Sequence, residues 1–562
     1  MNESSWILTP INDDARNLSV ELGIPVEMAQ ILCNRNICDT ESAHKFLYGT
    51  LNDLYDPFLM KGMAEAVERI LIAVSKKEKI LIFGDYDVDG ILSVVMLTKA
   101  LNSLGAEVDY FIPDRLNQGY GIKEKYIDIV LEKKVTLVIS VDCGVKAVAF
   151  VEKAKQAGVD VIITDHHQPG DVLPEALAIL NPVVSHSGYP DKNLAGVGVV
   201  FKLIQALFQG EKQTSVVHHY LKPVSIGTIA DVVELKGENR LFVKYGLKGM
   251  GNVFNPGLMS LLKVCGLNGK HVSVGDVGFR IGPRINAAGR LGETDLALKL
   301  FFSDLSEETY DIACQMDKLN SKRQKIEEKI FNQAMDLIKN NKLDEKYKFL
   351  ILGCEEWHRG VIGIVASKLK DIFYRPVILF AYQDGRAFGS GRSIREFSLI
   401  DCLNENRHFF LNYGGHKQAI GCEMSSQNIR PFKKAINAFV QERLSEEALQ
   451  RKIFIDAKIN FSDIDSLFLE NLLNLAPFGM GNPKPIFLTE SAEVLAAPQK
   501  IQGKHCKLFL RQSNKIFDAL AWRKGEWADK INKGDRIDLV YSLQFSEYLG
   551  EERIHLSLED FR

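Results

Sequence analysis

Gly84-Asp85-Tyr86-Asp87-Val88-Asp89-Gly90 follows directly on the apolar run Ile80-Leu81-Ile82-Phe83. If the backbone stays extended past that run, carboxylates at alternate positions point to one side. Asp85, Asp87 and Asp89 then converge at the end of a buried strand. Like charges so close raise one another's pKa values unless a cation lies between them. An oxygen-only cluster suits Mg2+ or Mn2+ rather than a thiolate-seeking metal. A solvated acidic turn is the plainer alternative, and the surroundings decide. Apolar runs over 80–83, 108–112, 136–141, 159–164 and 178–180 alternate with helix-like stretches over 91–104, 123–132 and 145–157. Near-continuous apolar strands separated by helices specify an α/β fold whose parallel sheet is covered on both faces. Ligands of such sheets gather at the carboxyl ends of the strands, where these acids stand.

The acids recur at that edge. The run over 136–141 ends in Asp142-Cys143-Gly144, and the run over 159–164 ends in Asp165-His166-His167. A strand-like apolar stretch over 224–230 ends in Asp231. One such placement is ordinary turn chemistry; repetition along one edge is not. A carboxylate shared by two ions, with His and Asp completing each set, is the usual build of a two-metal hydrolytic site. His166 and His167 point opposite ways if extended, which predicts different roles for them.

At 562 residues the chain divides into roughly three or four domains. Its 46% hydrophobic and 25% charged content is that of an ordinary globular protein. A net charge of −3 gives no bulk signature of a nucleic-acid binder, so any such binding comes from a local basic surface. Nine cysteines without a C-x-x-C pair read as reduced thiols of a cytoplasmic protein. Neither a signal peptide at Met1–Trp6 nor an apolar run of membrane-spanning length is visible.

GDYDVDG, VDCG, TDHH and IAD, in that order, resemble the four motifs of the DHH phosphoesterase superfamily. The likeness extends over nearly the whole chain and is strongest to its branch of bacterial single-strand-specific 5′→3′ DNA exonucleases. The segments 56–63, 282–290 and 476–483 resemble that branch as well. The resemblance implies Asp87 and Asp89 as metal ligands and Asp85 as a ligand or a base just behind them. It makes Asp142 the bridge between two ions, Mn2+ or Mg2+, with His166 and Asp231 completing the set. His167 faces the scissile phosphate or steadies the ligands, and Asp165 orients an imidazole. The implied reaction is phosphodiester hydrolysis by in-line attack of an activated water.

The resemblance also orders the rest of the chain. Residues 1–75 read as an N-terminal helical segment, 76–318 as the DHH catalytic domain and 319–345 as a long connecting helix. Residues 346–450 form a smaller α/β DHH-associated lobe, and 451–562 a strand-rich OB-like barrel. Barrel strands are expected near 453–455, 486–488, 507–510, 537–543 and 553–557. In the smaller lobe, Ser390-Gly391-Arg392 and Gly414-Gly415-His416 combine small residues with cations, so backbone N–H groups can approach a phosphate. Arg392 and His416 are the expected phosphate contacts there. Arg280, Arg284 and Arg290 are candidate DNA-backbone contacts, with pairing to Glu293 and Asp295 as the structural alternative. The barrel grips single-stranded DNA by stacking and charge, the charge coming from 504–507 and from Lys524, Lys530, Lys533 and Arg536.

Several features carry less. Ala195-Gly196-Val197-Gly198 lacks the third glycine of a dinucleotide fingerprint and reads as helix packing or a turn. His218-His219 sits in a polar helical stretch. The segment 357–360 reads as an anion-facing helix start, and Tyr120, Trp357 and Phe388 as stacking or packed aromatics. Two rival readings are a small-substrate DHH enzyme, which needs no barrel, and a non-catalytic Cdc45-like replication scaffold, which would show degenerate motifs. A single-strand binding protein and a helicase are implied partners, with a monomer as the default state.

Overall fold

The computed structural model describes residues 4–114, 121–210, 213–251, 253, 255–548 and 551–562; Tyr120 lies outside them. The first lobe is built on five parallel strands in the order Glu107–Phe111, Lys79–Phe83, Leu137–Val141, Asp160–Thr164, Ala178–Leu180. Side chains alternate across such a sheet. Ile80 and Ile82 enter the core beneath the helices Met63–Lys76, Val88–Ser103 and Gly196–Leu207. Leu81 and Phe83 face the opposite layer, with Ile127–Glu132 and Val148–Gln156. The sheet is therefore buried on both faces, as its unbroken apolar strands require.

The stretch over 224–230 is not strand-like. It is the last part of the helix Gln213–Ala230, because a short buried apolar run satisfies either geometry. The connecting helix is longer than 319–345, running from Ser306 to Asn340. Ile312, Ala313 and Met316 pack in the first lobe, while Ile330, Ala334 and Ile338 pack in the second. At 1.5 Å per residue it is about 52 Å long, one strut shared by two cores. Buried Arg323 pairs with Glu327 on the same helix, and Lys368 of the second lobe joins them.

The second lobe is a five-stranded sheet ordered Phe410–Gly415, Ala419–Ser425, Arg386–Arg392, Val377–Gln383, Leu350–Cys354, with only the last pair parallel. The C-terminal region is a closed five-stranded barrel of Phe487–Val494, Arg536–Tyr548, Glu551–Phe561, Lys515–Ala521 and His505–Gln512, sealed where Val494 meets Leu510. The strand expected at 453–455 lies outside it and pairs in parallel with Ser5–Leu8. Its place is taken by Lys515–Ala521, whose alanine-rich alternation hid it.

The first 75 residues divide between two cores. Residues of Asp13–Leu22, Val26–Cys33 and Thr40–Tyr48 pack with the barrel, whereas Met60 and Met63–Lys76 join the first lobe. Arg240, 1% exposed, ties the two together. Its guanidinium donates to the carbonyls of Phe46, Asn474, Leu475 and Ala476 at 2.7–3.0 Å and of Pro477 at 3.4 Å, and lies 3.8 Å over the Phe46 ring.

Candidate metal centre and phosphate-facing cleft

The opening motif is extended only as far as Phe83. Asp87 then caps the helix Val88–Ser103, its side chain accepting Gly90 N–H at 3.0 Å, and Asp89 falls in the first helical turn. The three acids converge through a strand-to-helix turn rather than by strand alternation. That turn needs glycine at 90, where a Cβ would stand 2.5 Å from the Asp85 carbonyl oxygen. Asp142 follows its strand with φ 58°, a left-handed conformation that aspartate tolerates better than most residues.

His166 and His167 do not diverge; their ring centroids are 4.4 Å apart. His166 Nε2 lies 3.2 Å from Asp142 Oδ1, 3.6 Å from Asp231 Oδ2 and 3.9 Å from Asp89 Oδ2. None of His166 Nε2, Asp142 Oδ1 and Asp231 Oδ2 makes a hydrogen bond, although all are buried. Buried polar atoms left so are rare unless a ligand serves them. Three overlapping groups, each with its ligand atoms within 4.8 Å of one another, could hold a cation: Asp142/His166/His167, Asp89/His166/Asp231 and Asp85/Asp87/Asp142. Asp142 and His166 each belong to two of them.

Electrostatics agrees with that geometry. Burial, then repulsion by neighbouring acids, drives Asp142 and Asp231 well above the ordinary carboxylate range, and Asp89 up to about 7. Burial and the adjacent His167 lower His166 to about 4, so its imidazole is neutral at physiological pH and keeps a lone pair. Burial opposes the charge on Asp165 and on His167, but the 2.7 Å bond between them holds the acid low and the imidazole high. Asp165 also accepts the backbone N–H groups of Val145, His166 and His167, which fixes the loop.

Raised carboxylates have a thermodynamic consequence. The folded protein binds protons that the unfolded chain has released, so without metal the centre's contribution to stability is full below about pH 4. The Asp89 share of it is lost as pH rises through about 7. Mn2+ competes with those protons. The melting temperature gained by adding Mn2+ to chelator-treated protein should therefore grow from pH 6 to pH 8. A gain independent of pH would remove these acids from the ligand set.

Gly196, read from sequence only as helix packing or a turn, stands beside the acids. It opens the helix Gly196–Leu207; its N–H and that of Val197 hold the two Asp89 oxygens at 2.7 and 2.6 Å. A Cβ at 196 would stand 2.8 Å from Asp142 Cβ and Oδ1. Gly196→Ala should reduce apparent Mn2+ affinity about 10- to 100-fold, the range for residues that orient ligands, with the fold retained by circular dichroism. The available signal was the glycine itself, placed at a helix start.

In the second lobe, register aligns Gly414, Gly421 and Ser390 across three neighbouring strands, and Arg392 stands opposite Ala419. Gly415, at φ 136°, turns the chain into His416; a Cβ there would meet the Ala419 carbonyl oxygen at 2.3 Å. Burial lowers His416, helped by the charges of Arg392 and of His167 from the first lobe. The Gly-Gly-His loop of the second lobe therefore lies near enough to His167 of the first for their charges to interact. The helix Ile362–Phe373 starts at the same spot, since a Cβ on Gly363 would lie 2.7 Å from Ser390 Oγ.

The other arginines are engaged locally. Arg280 bonds Asp276 at 2.9 Å and the Cys265 carbonyl; Arg284 bonds Asp317 at 2.8 Å and the Arg280 carbonyl at 2.7 Å. Their partners are not Glu293 and Asp295, and the Arg284–Asp317 pair ties this segment to the connecting helix. Arg290 reaches the Gly360 carbonyl of the second lobe at 3.0 Å. Trp357 is buried and donates to Gln333, so it is packed rather than available for stacking. On the barrel, Lys524 is taken up by the Glu559 carbonyl and the Trp527 ring, while Lys530, Lys533 and Arg536 are exposed. Trp522, which the sequence reading did not single out, is 51% exposed and meets the His505 ring edge-on.

A parallel-sheet lobe with an acid–histidine edge, faced by a second lobe bearing a Gly-Gly-His loop, defines the class of DHH phosphoesterases. Residues 79–228 match the DHH family N-terminal domain, 346–442 the DHHA1 domain and 455–560 the RecJ OB domain. The chain is 38% identical to the single-stranded-DNA-specific exonuclease RecJ of Bacillus subtilis, over 99% of its own length and 70% of that protein. Against the Haemophilus influenzae RecJ the identity is 34%, covering 92% of this chain and 93% of the relative. The crystal structure of Thermus thermophilus RecJ with Mn2+ superposes with a TM-score of 0.84 at 29% identity, covering 100% of this chain and 80% of that one. The chain belongs to the RecJ family.

Proposed function

We infer that the protein is a metal-dependent exonuclease that hydrolyses single-stranded DNA from the 5′ end, acting in DNA repair and recombination. The observation that carries this reading is the overlap of three cation-competent groups on Asp142 and His166. Asp85, Asp87, Asp89, Asp142, His166 and Asp231 would hold two divalent cations, Mn2+ or Mg2+; carboxylate oxygens and one imidazole nitrogen suit a hard or borderline ion, and Asp142 Oδ1, His166 Nε2 and Asp231 Oδ2 are buried without a hydrogen bond. Bound there, the ions neutralise the crowded acids and supply a Lewis-acidic centre for water attack on phosphorus.

The remaining work falls to the protein's own groups. His167, held by Asp165, keeps a proton beside the centre and meets a phosphate oxygen at Nε2. Ser390, Arg392, Gly414, Gly415 and His416 hold the terminal phosphate from the opposite lobe, so the strand enters with its end fixed. Arg280 and Arg284 act by holding the cleft wall. The barrel binds the trailing strand through Trp522 and the exposed Lys530, Lys533 and Arg536. Among the described residues no helix is long and apolar enough to cross a membrane. The protein would act in the cytoplasm as a monomer, with a helicase and a single-strand binding protein supplying its substrate. A closed barrel has no task in an enzyme of short oligoribonucleotides, and a scaffold has no need of the intact ligand set.

The test is degradation of end-labelled oligonucleotides in Mn2+. A 5′ label on single-stranded DNA should be released at once as mononucleotide, a 3′ label should give a descending ladder, and a blunt duplex should persist. Binding should fall steeply with salt as phosphate contacts release counterions. Equal attack on both ends, or on the duplex, would overturn the reading.

A further inference from the structure

A cavity of about 590 Å³ lies on the far side of the helices that carry the metal-centre acids. One wall is Leu92, Val95, Met96 and Lys99, successive turns of the helix that begins beside Asp87. The other wall includes His219, Lys222 and Ile226 of the helix that ends before Asp231. Phe301 and Tyr245 add aromatic surface, and Lys248 stands at the mouth. The volume lies within the ~300–1,000 Å³ range of small-molecule sites, and apolar walls with a few convergent polar groups are their usual composition.

The charge pattern selects the ligand. Lys99, Lys222, Lys248 and the His218–His219 pair line the cavity, against Asp304 as the one acid among its described lining residues. Burial lowers the pKa of Lys99 and Lys222, and burial together with those two lysines lowers that of His219. Cations held this way in a partly apolar space favour an anion with several acceptor oxygens.

We propose that this cavity binds a nucleoside 5′-monophosphate, the phosphate among Lys99, His219 and Lys222 and the base against the apolar wall. The choice of ligand rests on the exonuclease reading, because hydrolysis from a chain end releases mononucleotides; the cavity itself does not. Because its two walls are the helices leading to Asp87, Asp89 and Asp231, an occupant contacts the supports of the centre without entering the cleft.

Crystals of the full chain soaked in 5-bromo-dUMP test the site directly. Bromine density in the cavity is the expected result. Density confined to the cleft between the lobes would overturn the proposal while leaving the exonuclease reading intact, and no density anywhere would overturn it as well. In solution, calorimetric titration with dTMP should show two sites in the native protein. The double variant Lys99→Glu/Lys222→Glu should weaken one of them at least 10-fold, with cleavage of saturating single-stranded DNA unchanged. Identical titrations for both proteins, or thymidine binding as tightly as dTMP, would also sink it.

Discussion

Asp142→Asn should abolish DNA cleavage and, in the same stroke, make the metal-free protein more stable. The side chain is buried, its Oδ1 makes no hydrogen bond, and two of the three cation-competent groups depend on it. An amide keeps the shape, and asparagine tolerates the left-handed φ of 58°. What it removes is the charge. Losing the carboxylate common to two ions should lower the rate about 10⁴-fold or more, or about 5.4 kcal/mol of barrier. The same loss relieves repulsion from Asp85, Asp87, Asp89 and Asp231, which together with burial raises the Asp142 pKa. Thermal unfolding in chelator should therefore shift upward, by the equivalent of about 1–2 kcal/mol. Single-strand affinity, measured by anisotropy in chelator, should stay within about twofold. Turnover near the native rate would remove Asp142 from the bridging position.

The largest stability effect is expected at Arg240, far from the chemistry. Its guanidinium serves five carbonyls belonging to an N-terminal helix and to the segment that enters the barrel. Burial lowers its pKa to about 9, which leaves it charged under working conditions. Arg240→Met fills much of the volume but strands those acceptors, and each unsatisfied buried group costs about 1–3 kcal/mol before relaxation. A net loss of about 4 kcal/mol follows once water reaches some of them. Urea unfolding should show the N-terminal helices and barrel loosening first, with proteolytic cuts near 474–477, while the first lobe persists. An unchanged urea midpoint would mean the carbonyls find other partners and the tie is dispensable.

How much of this was legible beforehand differs by element. The parallel lobe was readable because its strands are buried on both faces and write themselves as unbroken apolar runs. The acids at 85–89, 142, 165 and 231 were readable because they end such runs. Their geometry was not. Asp89 reaches the centre from a helix, and Asp231 from the end of another, since a buried apolar stretch such as 224–230 has no period that separates strand from helix. For Arg280 and Arg284 the sequence offered DNA contact or pairing with a local acid, and it did not reveal that the acids beside them are Asp276 and Asp317. Gly196 was legible as helix packing or a turn, but not its purpose, which is the absence of a side chain where Asp142 comes close. Barrel strands of irregular alternation, such as Lys515–Ala521, were lost to the same weak periodicity.

The parallel pairing of Ser5–Leu8 with Lys452–Ile455, and the packing of Ala15, Leu18 and Leu32 into the barrel core, bear on how the chain is made. On the ribosome the opening helices emerge hundreds of residues before the surface that covers them. At ordinary elongation rates that wait is on the order of half a minute or longer. Both central lobes can close around their own cores meanwhile, but these helices have nowhere to bury their apolar face until the barrel strands have been made. A stop before the barrel strands would therefore release a protein whose central lobes are assembled while the helices over 13–48 stay unfolded, marking it for destruction there.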